Sequence, residues 1–483
     1  MGAKSIGPIV DIHISLEGPG DLAARIYRGI QDAILDGRLR PGERLPPTRA
    51  LARGLEVSRN TASVAYERLT AEGFLVARVG AGTFVSDRHI PPARPAGPSY
   101  GGAVRPRSPW RDIDPVIEDP TEAPYDFRVG VPDGGLFPLA TWRRLIAGEL
   151  RARAVSAGYH DAAGHLGLRQ AIARYVGVAR SVRARPDDVL LTQGAQQALD
   201  LIGRVLIAPG DRVAVEEPGY PPARMLFAAM GARVTGVPVD DQGLVVAALP
   251  PGVRLVYVTP SHQFPLGVPM SLERRAALLD WAARHEAVIV EDDYDSEFRF
   301  SDRPLAPLQS LDRTGRVLYV GTFSKTLLPM LRLGFLVAPA SLRTALRAAK
   351  RLADWHGDPI AQAALARFID DGELPRHIRR ATRAYAARHE LIVAALRGDL
   401  AEWLTPMPST AGLHVCARLN PGVPAALGEV RARARRLGVA VEPLAGYYAG
   451  EPEHGLVLGY GAIPAERVPE GLRRLRRAFT EVA

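Results

Sequence analysis

The 483-residue sequence predicts a two-domain protein, in which a small helical domain closed by a β-hairpin precedes a large α/β domain with a mostly parallel sheet. Three observations lead to this fold class. The chain is too long for one ordinary domain. A proline-dense stretch without helical or strand periodicity, residues 89–124, predicts a linker. Beyond it, short apolar runs alternate with amphipathic helical stretches, as in a parallel sheet covered by helices. We therefore expect domains at 15–88 and 125–483.

The composition is that of a soluble globular protein, with 47% hydrophobic and 23% charged residues. The single cysteine, Cys416, excludes an intramolecular disulfide and fits a reducing compartment. The N-terminus lacks a basic start followed by an apolar run, and no apolar stretch approaches the length of a membrane span. We expect a cytoplasmic protein that does not bind a membrane. The net charge of +9 permits a polyanionic partner but is weak support for one.

The small domain begins with two predicted helices. The first runs from about Asp21 to Asp36, where an apolar residue recurs at every fourth position: Leu22, Ile26, Ile30 and Ile34. Asp21 is expected to cap its start. Thr48 is expected to cap the second helix, and Leu51 and Leu55 supply a short apolar face.

A third helix and a hairpin complete the small domain. Ser58 is expected to cap the helix, with Val64, Ala65 and Leu69 facing inward. Two short strands flank the glycine-rich turn at residues 80–82 and predict a hairpin. Three helices followed by a hairpin are typical of a winged helix-turn-helix.

The basic residues of this domain fit a DNA duplex. Six arginines and only two acids lie between Arg38 and Arg59, although residues 1–90 carry 12 basic and 10 acidic side chains overall. The positive charge is therefore concentrated around the turn before the third helix. The start of a recognition helix meets base edges and phosphates, which makes four residues candidates: Ser58, Arg59, Asn60 and Thr61. The alternative is a solvated surface in an arginine-rich chain.

The run from "DLAARIYRGIQ" to "GAGTFVSD" resembles the GntR-type winged helix over its full length. The stretches "GRLRPGERLPPTR" and "SRNT" carry the likeness. The resemblance implies that a double-stranded DNA operator is contacted from six positions: Thr48, Arg49, Ser58, Arg59, Asn60 and Thr61. It also implies that the wing glycines, Gly80 and Gly82, let the backbone enter the minor groove. Arg44, in the first stretch, is counted with the DNA-binding candidates.

In the large domain, one lysine stands out because the chain has only three: Lys4, Lys325 and Lys350. Lys325 follows the predicted buried strand "RVLYV". A primary amine can condense with an aldehyde, and a guanidinium effectively cannot. A surface lysine in an ion pair is the alternative explanation.

Polar residues after neighbouring strands are expected to meet Lys325, because sites lie at the carboxyl ends of parallel strands. Asp292 follows "AVIV", and the loop near the lysine carries Thr322, Ser324 and Arg332. The stretch "TQGAQQ" predicts a helix start where three backbone N–H groups face an anion: those of Gly194, Ala195 and Gln196. Pyridoxal 5'-phosphate needs a lysine, an acid opposite its ring nitrogen and a phosphate cup. The sequence therefore predicts this cofactor.

Residues 125–480 resemble the fold-type I aminotransferase domain, most closely that of the MocR/GabR-like regulators, in runs such as "TQGAQQALDL", "TPSHQFPLG", "EDDYDSEFRF" and "GTFSKTLLPMLRLGF". The resemblance implies that Lys325 is the Schiff-base lysine and that Asp292 keeps the ring nitrogen protonated. It implies that Tyr294 lies near the ring hydroxyl and that Tyr220 stacks on the ring. It places the phosphate at four positions: Ala195, Gln196, Thr322 and Arg332.

Two departures from the aminotransferase pattern concern ligand binding. Phe264 stands where an asparagine commonly bonds the ring oxygen, and His262 or Gln263 could substitute. Val457 stands where an arginine commonly holds the substrate carboxylate. Two arginines remain open for that role: Arg224 and Arg418.

These features favour a homodimeric transcriptional regulator whose large domain senses an amino compound or pyridoxal 5'-phosphate itself. A working aminotransferase with an accessory domain is the alternative, because fold alone does not decide function. A winged helix used for protein contacts is a third reading, against which the arginine cluster argues.

Overall fold

The structure is a computed structural model that describes residues 21–87, 105–106, 108–111, 113, 123–151, 158–300, 305–423 and 426–482. Residues 15–20 of the predicted small domain and most of the predicted linker lie outside the described residues. The chain divides into two compact units, Met1–Pro106 and Arg107–Ala483. The division falls inside the predicted linker, whose ends remain a prediction.

The small unit contains the three helices and the hairpin that the sequence predicts. Its elements are α1 (Leu22–Leu35), α2 (Thr48–Gly54), α3 (Arg59–Ala71), β1 (Leu75–Arg78) and β2 (Gly82–Val85). The side chain of Asp21 accepts a hydrogen bond from the Ala24 N–H, and that of Ser58 accepts one from the Thr61 N–H. Both predicted caps are therefore confirmed.

Three local predictions for this unit are wrong. Thr48 is the first residue of α2 and not its cap, which is Pro47 and makes no side-chain bond. Leu22 is 42% exposed and Val64 is 45% exposed, whereas Tyr27 is buried in the core. A spacing of four residues advances 40° beyond a full helical turn at each step, so a strict every-fourth stripe winds out of the core.

The large unit alternates strands and helices along most of its length. Its strands are β3 (Tyr125–Asp126), β4 (Val189–Thr192), β5 (Arg212–Glu217), β6 (Arg233–Asp240), β7 (Gly243–Leu244), β8 (Val253–Val258), β9 (Val288–Asp293), β10 (Val317–Thr322), β11 (Gly334–Val337), β12 (Leu404–Pro406), β13 (His414–Leu419), β14 (Val439–Ala440), β15 (Glu442–Pro443) and β16 (Gly455–Gly459). Its helices are α4 (Leu139–Glu149), α5 (Leu166–Arg180), α6 (Ala195–Leu206), α7 (Pro221–Ala229), α8 (Leu272–Arg284), α9 (Leu308–Leu311), α10 (Arg343–Asp354), α11 (Pro359–Asp370), α12 (Glu373–Arg397), α13 (Leu427–Arg436) and α14 (Val468–Val482).

Eight strands form the main sheet in the order β4-β11-β10-β9-β8-β5-β6-β7. Strands β6, β5, β8, β9 and β10 are parallel, and β11 is antiparallel to both of its neighbours. Successive residues of β9 enter different apolar clusters, Ile289 on one side and Val290 on the other. Both faces of the sheet are therefore covered, which confirms the predicted α/β architecture.

A smaller antiparallel sheet, in the order β12-β13-β16-β15, packs with the 25-residue helix α12 and with α14. One apolar cluster unites them and includes Tyr385 of α12, Val415 of β13 and Phe479 of α14. Among the described helices, none combines the length and the apolar character that a membrane crossing requires.

Candidate functional site

A cavity of about 1030 Å³ opens at the carboxyl ends of the parallel strands. It is lined by Tyr257 from β8, Asp292 from β9 and Thr322 from β10, together with Lys325 just beyond β10. Asp292 is the second-last residue of β9, and Thr322 is the last residue of β10. The sequence had placed both just after their strands. The cavity thus lies where parallel sheets usually bind their ligands.

Lys325 points across this cavity to a distant segment of the chain. Its Nζ donates a hydrogen bond of 2.6 Å to the carbonyl of Gly130. Burial lowers the pKa of Lys325, while Asp295, Asp292 and Glu442 oppose that shift. Gly130 has a φ of +82°, and a Cβ there would lie 2.8 Å from Nζ. The amine is therefore held beside a backbone position that suits only glycine.

One carboxylate oxygen of Asp292 accepts a hydrogen bond, and the other has no partner among the described residues. Its Oδ2 accepts a 2.8 Å hydrogen bond from the Tyr257 hydroxyl, and its Oδ1 is buried with no partner among the described residues. Burial raises the pKa of Asp292 to about 7. A buried oxygen without a donor is costly. The site therefore fits a ligand that brings an N–H, such as a protonated ring nitrogen, to Oδ1.

The start of α6 and the loop after β10 form a cup for an anion. Ala195 and Gln196 open α6 and line the cavity with Ser324 and Arg332. Arg332 Nη2 donates a 2.6 Å hydrogen bond to the Gln193 carbonyl. A helix N-terminus beside hydroxyls and a guanidinium suits a phosphate.

Gly194 contributes to this cup because it has no side chain that would contact Arg332. Its φ is +77°, and a Cβ there would lie 2.9 Å from Arg332 Nη2. The side chain of Thr322 donates a 3.0 Å hydrogen bond to the Ser324 hydroxyl. Gly194 itself does not belong to the cavity lining, so its part is to admit the arginine.

Aromatic residues form the wall of the cavity. Tyr220 and Tyr294 both line it, and each meets the edge of Phe264, with ring centroids 5.7 Å apart. His262 does not belong to the lining and makes a 3.0 Å hydrogen bond with the Tyr294 hydroxyl, so we expect it to act on a ligand through Tyr294. Gln263 bonds the Pro218 and Phe264 carbonyls and does not line the cavity.

Neither arginine left open as a carboxylate ligand lies in the lining of the cavity. Arg224 approaches Glu217 at 4.0 Å, and Arg418 pairs with Glu453 at 2.6 Å. Val457 is fully buried on β16 in an apolar cluster. The structure therefore places none of these three beside Lys325 as an anchor for a carboxylate.

Several residues of the lining carried no prediction from the sequence. Tyr257, Asp295, His414 and Glu442 all belong to it, and so do Trp110 and Ile113 from the segment predicted as linker: these six had no assigned role. Asp295 stands inside the quoted run "EDDYDSEFRF", so its position beside Asp292 was a usable signal. His414 and Glu442 come from the small sheet, more than 80 residues from Lys325, and no local pattern marks them.

In the small unit, four of the side-chain candidates for DNA binding are exposed to solvent. Ser58, Arg59 and Asn60 at the start of α3 are exposed, and so is Arg49 of α2. Thr48 and Thr61 are partly buried. Within the described part of the chain, no ion pair involves Arg49 or Arg59, so their guanidinium groups are available to phosphates.

The wing carries the remaining candidates. Gly80 has a φ of +73° and nothing near the position of its missing Cβ. Gly82 has a φ of +114°, and a Cβ there would lie 3.0 Å from Arg44 Nε. Arg44 therefore packs against the wing and is less free than Arg49 or Arg59.

Two family models match the chain. The gntR family of bacterial regulatory proteins matches residues 22–85, and aminotransferase class I and II matches residues 126–455. The chain is 40% identical over 463 residues to the probable rhizopine catabolism regulatory protein MocR of Rhizobium meliloti, across 94% of this chain and 93% of that relative. It is 36% identical over 494 residues to the HTH-type transcriptional regulator TauR of Rhodobacter capsulatus, across 98% and 99% of the two chains.

Solved aminotransferases share the fold of the large unit. An archaeal alanine:glyoxylate aminotransferase aligns with a TM-score of 0.70 and 29% identity, over 74% of this chain and 91% of that one. The Pyrococcus horikoshii kynurenine aminotransferase, solved in complex with PMP, aligns with a TM-score of 0.69 and 30% identity, over 75% and 92% of the two chains.

Fold and site together define a winged-helix DNA-binding regulator that carries an aminotransferase-like domain. The chain belongs to the MocR/GabR-like regulators of the gntR family. It is a DNA-binding transcriptional regulator.

Proposed function

We propose that the large unit binds pyridoxal 5'-phosphate and uses it to sense a primary amine, or the supply of the cofactor itself, and that occupancy of this site changes operator binding by the winged helix. The observation that carries the proposal is the uncommitted Oδ1 of Asp292, buried in the same cavity as Lys325 and the anion cup. A pyridine nitrogen, an aldehyde and a phosphate on one ring would match the three features together.

When bound, pyridoxal 5'-phosphate supplies an aldehyde that condenses with an amine. Lys325 presents its Nζ to that aldehyde, and the burial that lowers its pKa increases the fraction of free amine. Asp292 would accept the ring N–H on Oδ1, because Oδ1 has no partner among the described residues while Tyr257 holds Oδ2. The start of α6, with Thr322 and Arg332, would hold the phosphate.

Two tyrosines of the lining would orient the ring. Tyr220 offers a face for stacking, and its pKa is raised by burial, so its hydroxyl stays protonated. Tyr294 is bonded to His262, whose Nδ1 also lies 3.1 Å from Asp295 Oδ1. Asp295 thereby favours a proton on Nδ1 of His262, which then has no lone pair to accept a hydrogen bond from the Tyr294 hydroxyl. The Tyr294 hydroxyl proton then remains free for the ring oxygen, a bond that asparagine makes in the aminotransferase pattern.

For the small unit, we assign base and phosphate contacts to the start of α3 and to Arg49. Residues at the N-terminal end of a recognition helix reach base edges, so Arg59 and Asn60 are expected to carry sequence preference. Arg49, on α2, is expected to bind phosphate and to contribute affinity without sequence preference. The glycines at 80 and 82 would allow the wing backbone to approach the minor groove.

The proposal includes a homodimer. Operators of helix-turn-helix proteins are commonly read as paired half-sites by a two-fold dimer. Tyr159 is 77% exposed and stacks on Trp355, which is 47% exposed, at a centroid distance of 4.5 Å. Exposed apolar patches mark protein interaction sites, and we infer that this pair belongs to the dimer surface. Sedimentation velocity at micromolar concentration is expected to show a dimer, and a monomer would contradict this part.

Operator binding by three forms of the protein tests the function. The forms are cofactor-free protein, cofactor-loaded protein and loaded protein with a panel of amines, each titrated against the DNA upstream of its own gene in a mobility shift assay. We expect at least one step of this series to change the affinity, because a ligand shifts an equilibrium only through its preference for one state. Equal affinity in all three forms would remove the sensor and favour the aminotransferase alternative.

A further inference from the structure

His414, the first residue of β13, holds an imidazole whose tautomer can be assigned from its surroundings. The side chain is 1% exposed, and its Nε2 lies 3.0 Å from the carbonyl oxygen of Pro265. A carbonyl can only accept, so Nε2 carries the proton. Nδ1 is therefore an acceptor with a free lone pair.

No donor reaches that lone pair from the described residues, although His414 lines the cavity of Lys325. Burial lowers the pKa of His414 well below its ordinary value, and the nearby His262 and Lys325 lower it further. The imidazole therefore stays neutral over the working pH range. A buried acceptor without a donor is costly, and groups of this kind commonly meet a ligand or an ordered water.

A metal ion is the other occupant to weigh, because ligand atoms of His262, Asp295 and His414 lie within 4.8 Å of one another. Around a tetrahedral ion with bonds of about 2.1 Å, ligand atoms lie about 3.4 Å from each other, which is closer than the 4.8 Å within which these atoms fall. Nδ1 of His262 is moreover bonded to Asp295 at 3.1 Å and to the Tyr294 hydroxyl at 3.0 Å. Two of the three groups are thus already committed, which leaves the lone pair of His414 for a donor from a bound molecule.

Glu442 brings a carboxylate to the lining of the same cavity. Its Oε1 accepts a 2.7 Å hydrogen bond from the Val129 N–H, and its Oε2 accepts one from the Tyr447 hydroxyl. Its charge is near enough to Lys325 to raise the pKa of that amine. A ligand carboxylate bound next to Lys325 would face this carboxylate across a low-dielectric space.

Few cations belong to the described lining of the cavity. Among the described residues of the lining, the cations are Lys325, Arg332 in the anion cup and Arg431, which is exposed on α13. Val457 fills the position at which the aminotransferase pattern has its carboxylate-binding arginine. Among the described residues, the lining near Lys325 therefore offers more acceptors than cations.

We propose that the effector is a primary amine that carries a further hydrogen-bond donor, a hydroxyl or a second amino group, in place of an α-carboxylate, and that Nδ1 of His414 accepts the bond from that donor. The inference rests on the proposed function, because it assigns the ligand of the same site. Glu442, whose charge raises the pKa of Lys325, disfavours α-carboxylates by repulsion.

Three matched series of amines test the effector class: amino alcohols, amino acids and alkylamines with two to five carbons. Each would be titrated into cofactor-loaded protein, with the visible circular dichroism of the bound cofactor and the operator affinity as readouts. We expect the best amino alcohol to bind about tenfold more tightly than its matched amino acid and alkylamine, the effect of one well-placed hydrogen bond. Tighter binding of the amino acids, abolished by Arg431→Ala, would overturn the proposal and assign a carboxylate to Arg431.

Two variants test the role of His414. His414→Phe keeps an aromatic ring but removes the acceptor, so the preference for amino alcohols over alkylamines should vanish. His414→Asn places an amide oxygen near the former Nδ1, so part of the preference should return. Unchanged cofactor absorbance and thermal midpoint would show that both variants are folded.

Two further outcomes separate this inference from the proposed function. An undiminished preference in both His414 variants would overturn the assignment of the acceptor while the amine sensor stands. If no amine of any series perturbs the loaded wild-type protein, the amine sensor itself fails, and this inference fails with it.

Discussion

Alanine at Gly130 would test whether a distant backbone segment positions the amine of Lys325. The new Cβ would lie 2.8 Å from Nζ, whereas ordinary contact begins at 3.4 Å, so Nζ must retreat by about 0.6 Å or more. The end of a flexible side chain can move at little cost, but Nζ then loses its 2.6 Å hydrogen bond to the Gly130 carbonyl. Reacting groups must be held to within about 0.5 Å, so we expect cofactor affinity to fall about tenfold or more.

The backbone contributes separately to this effect. Gly130 has a φ of +82°, and alanine in that region costs about 1–2 kcal/mol of folding free energy. Gly252→Ala is a matched control, because Gly252 has a φ of +72° and nothing within 4 Å of the position of its missing Cβ. Both variants should therefore lose similar thermal stability without cofactor.

The assay is a titration with pyridoxal 5'-phosphate followed by visible absorbance, alongside the thermal midpoint of each cofactor-free variant. We expect only Gly130→Ala to lose affinity, and Gly252→Ala to bind like wild type. If both variants bound the cofactor equally well, the reasoning about Nζ would be refuted, because the proximity of Lys325 is what distinguishes the two sites.

Three further predictions concern the cavity of Lys325 and the DNA-binding residues of the small unit. Lys325→Arg keeps the charge but cannot condense with an aldehyde, so the visible absorbance of the loaded protein should disappear; a retained yellow colour would contradict this. Asp292→Asn should weaken cofactor binding about tenfold or more in titrations. Because burial raises the pKa of Asp292 from 3.8 to about 7, the cofactor-free wild type should lose stability relative to this variant as pH rises from about 4 to 7; a pH-independent difference in thermal midpoint would count against it. Arg49→Ala with Arg59→Ala should weaken operator binding and reduce the slope of log K against log salt by about one for each phosphate that is no longer neutralised. Arg68→Ala, whose guanidinium is bonded to Glu72 at 3.0 Å, is the control and should leave that slope unchanged.

Local sequence signals predicted much of the architecture because they act over a few residues. Asp21 and Ser58 cap their helices as expected, since a cap needs only a side-chain oxygen and an N–H three residues away. The strand-end positions of Asp292 and Lys325 were also readable, because apolar runs mark buried strands and parallel strands end on one edge. The exposed Val64 was not predicted, since the face of a short helix depends on what packs against it.

The sequence by itself predicted the two domains and the winged helix, and it singled out Lys325 and Asp292, because each of these inferences depends on residue type and short-range spacing. Only the tertiary structure brought Gly130, His414 and Glu442 to Lys325 from segments far along the chain. It also decided the chemistry of two of these groups. The lone pair of His414 Nδ1 is free because Nε2 meets the Pro265 carbonyl, and the amine of Lys325 has a lowered pKa because it is buried. Desolvation and hydrogen-bond partners are properties of the packed chain, and no local pattern in the sequence encodes them.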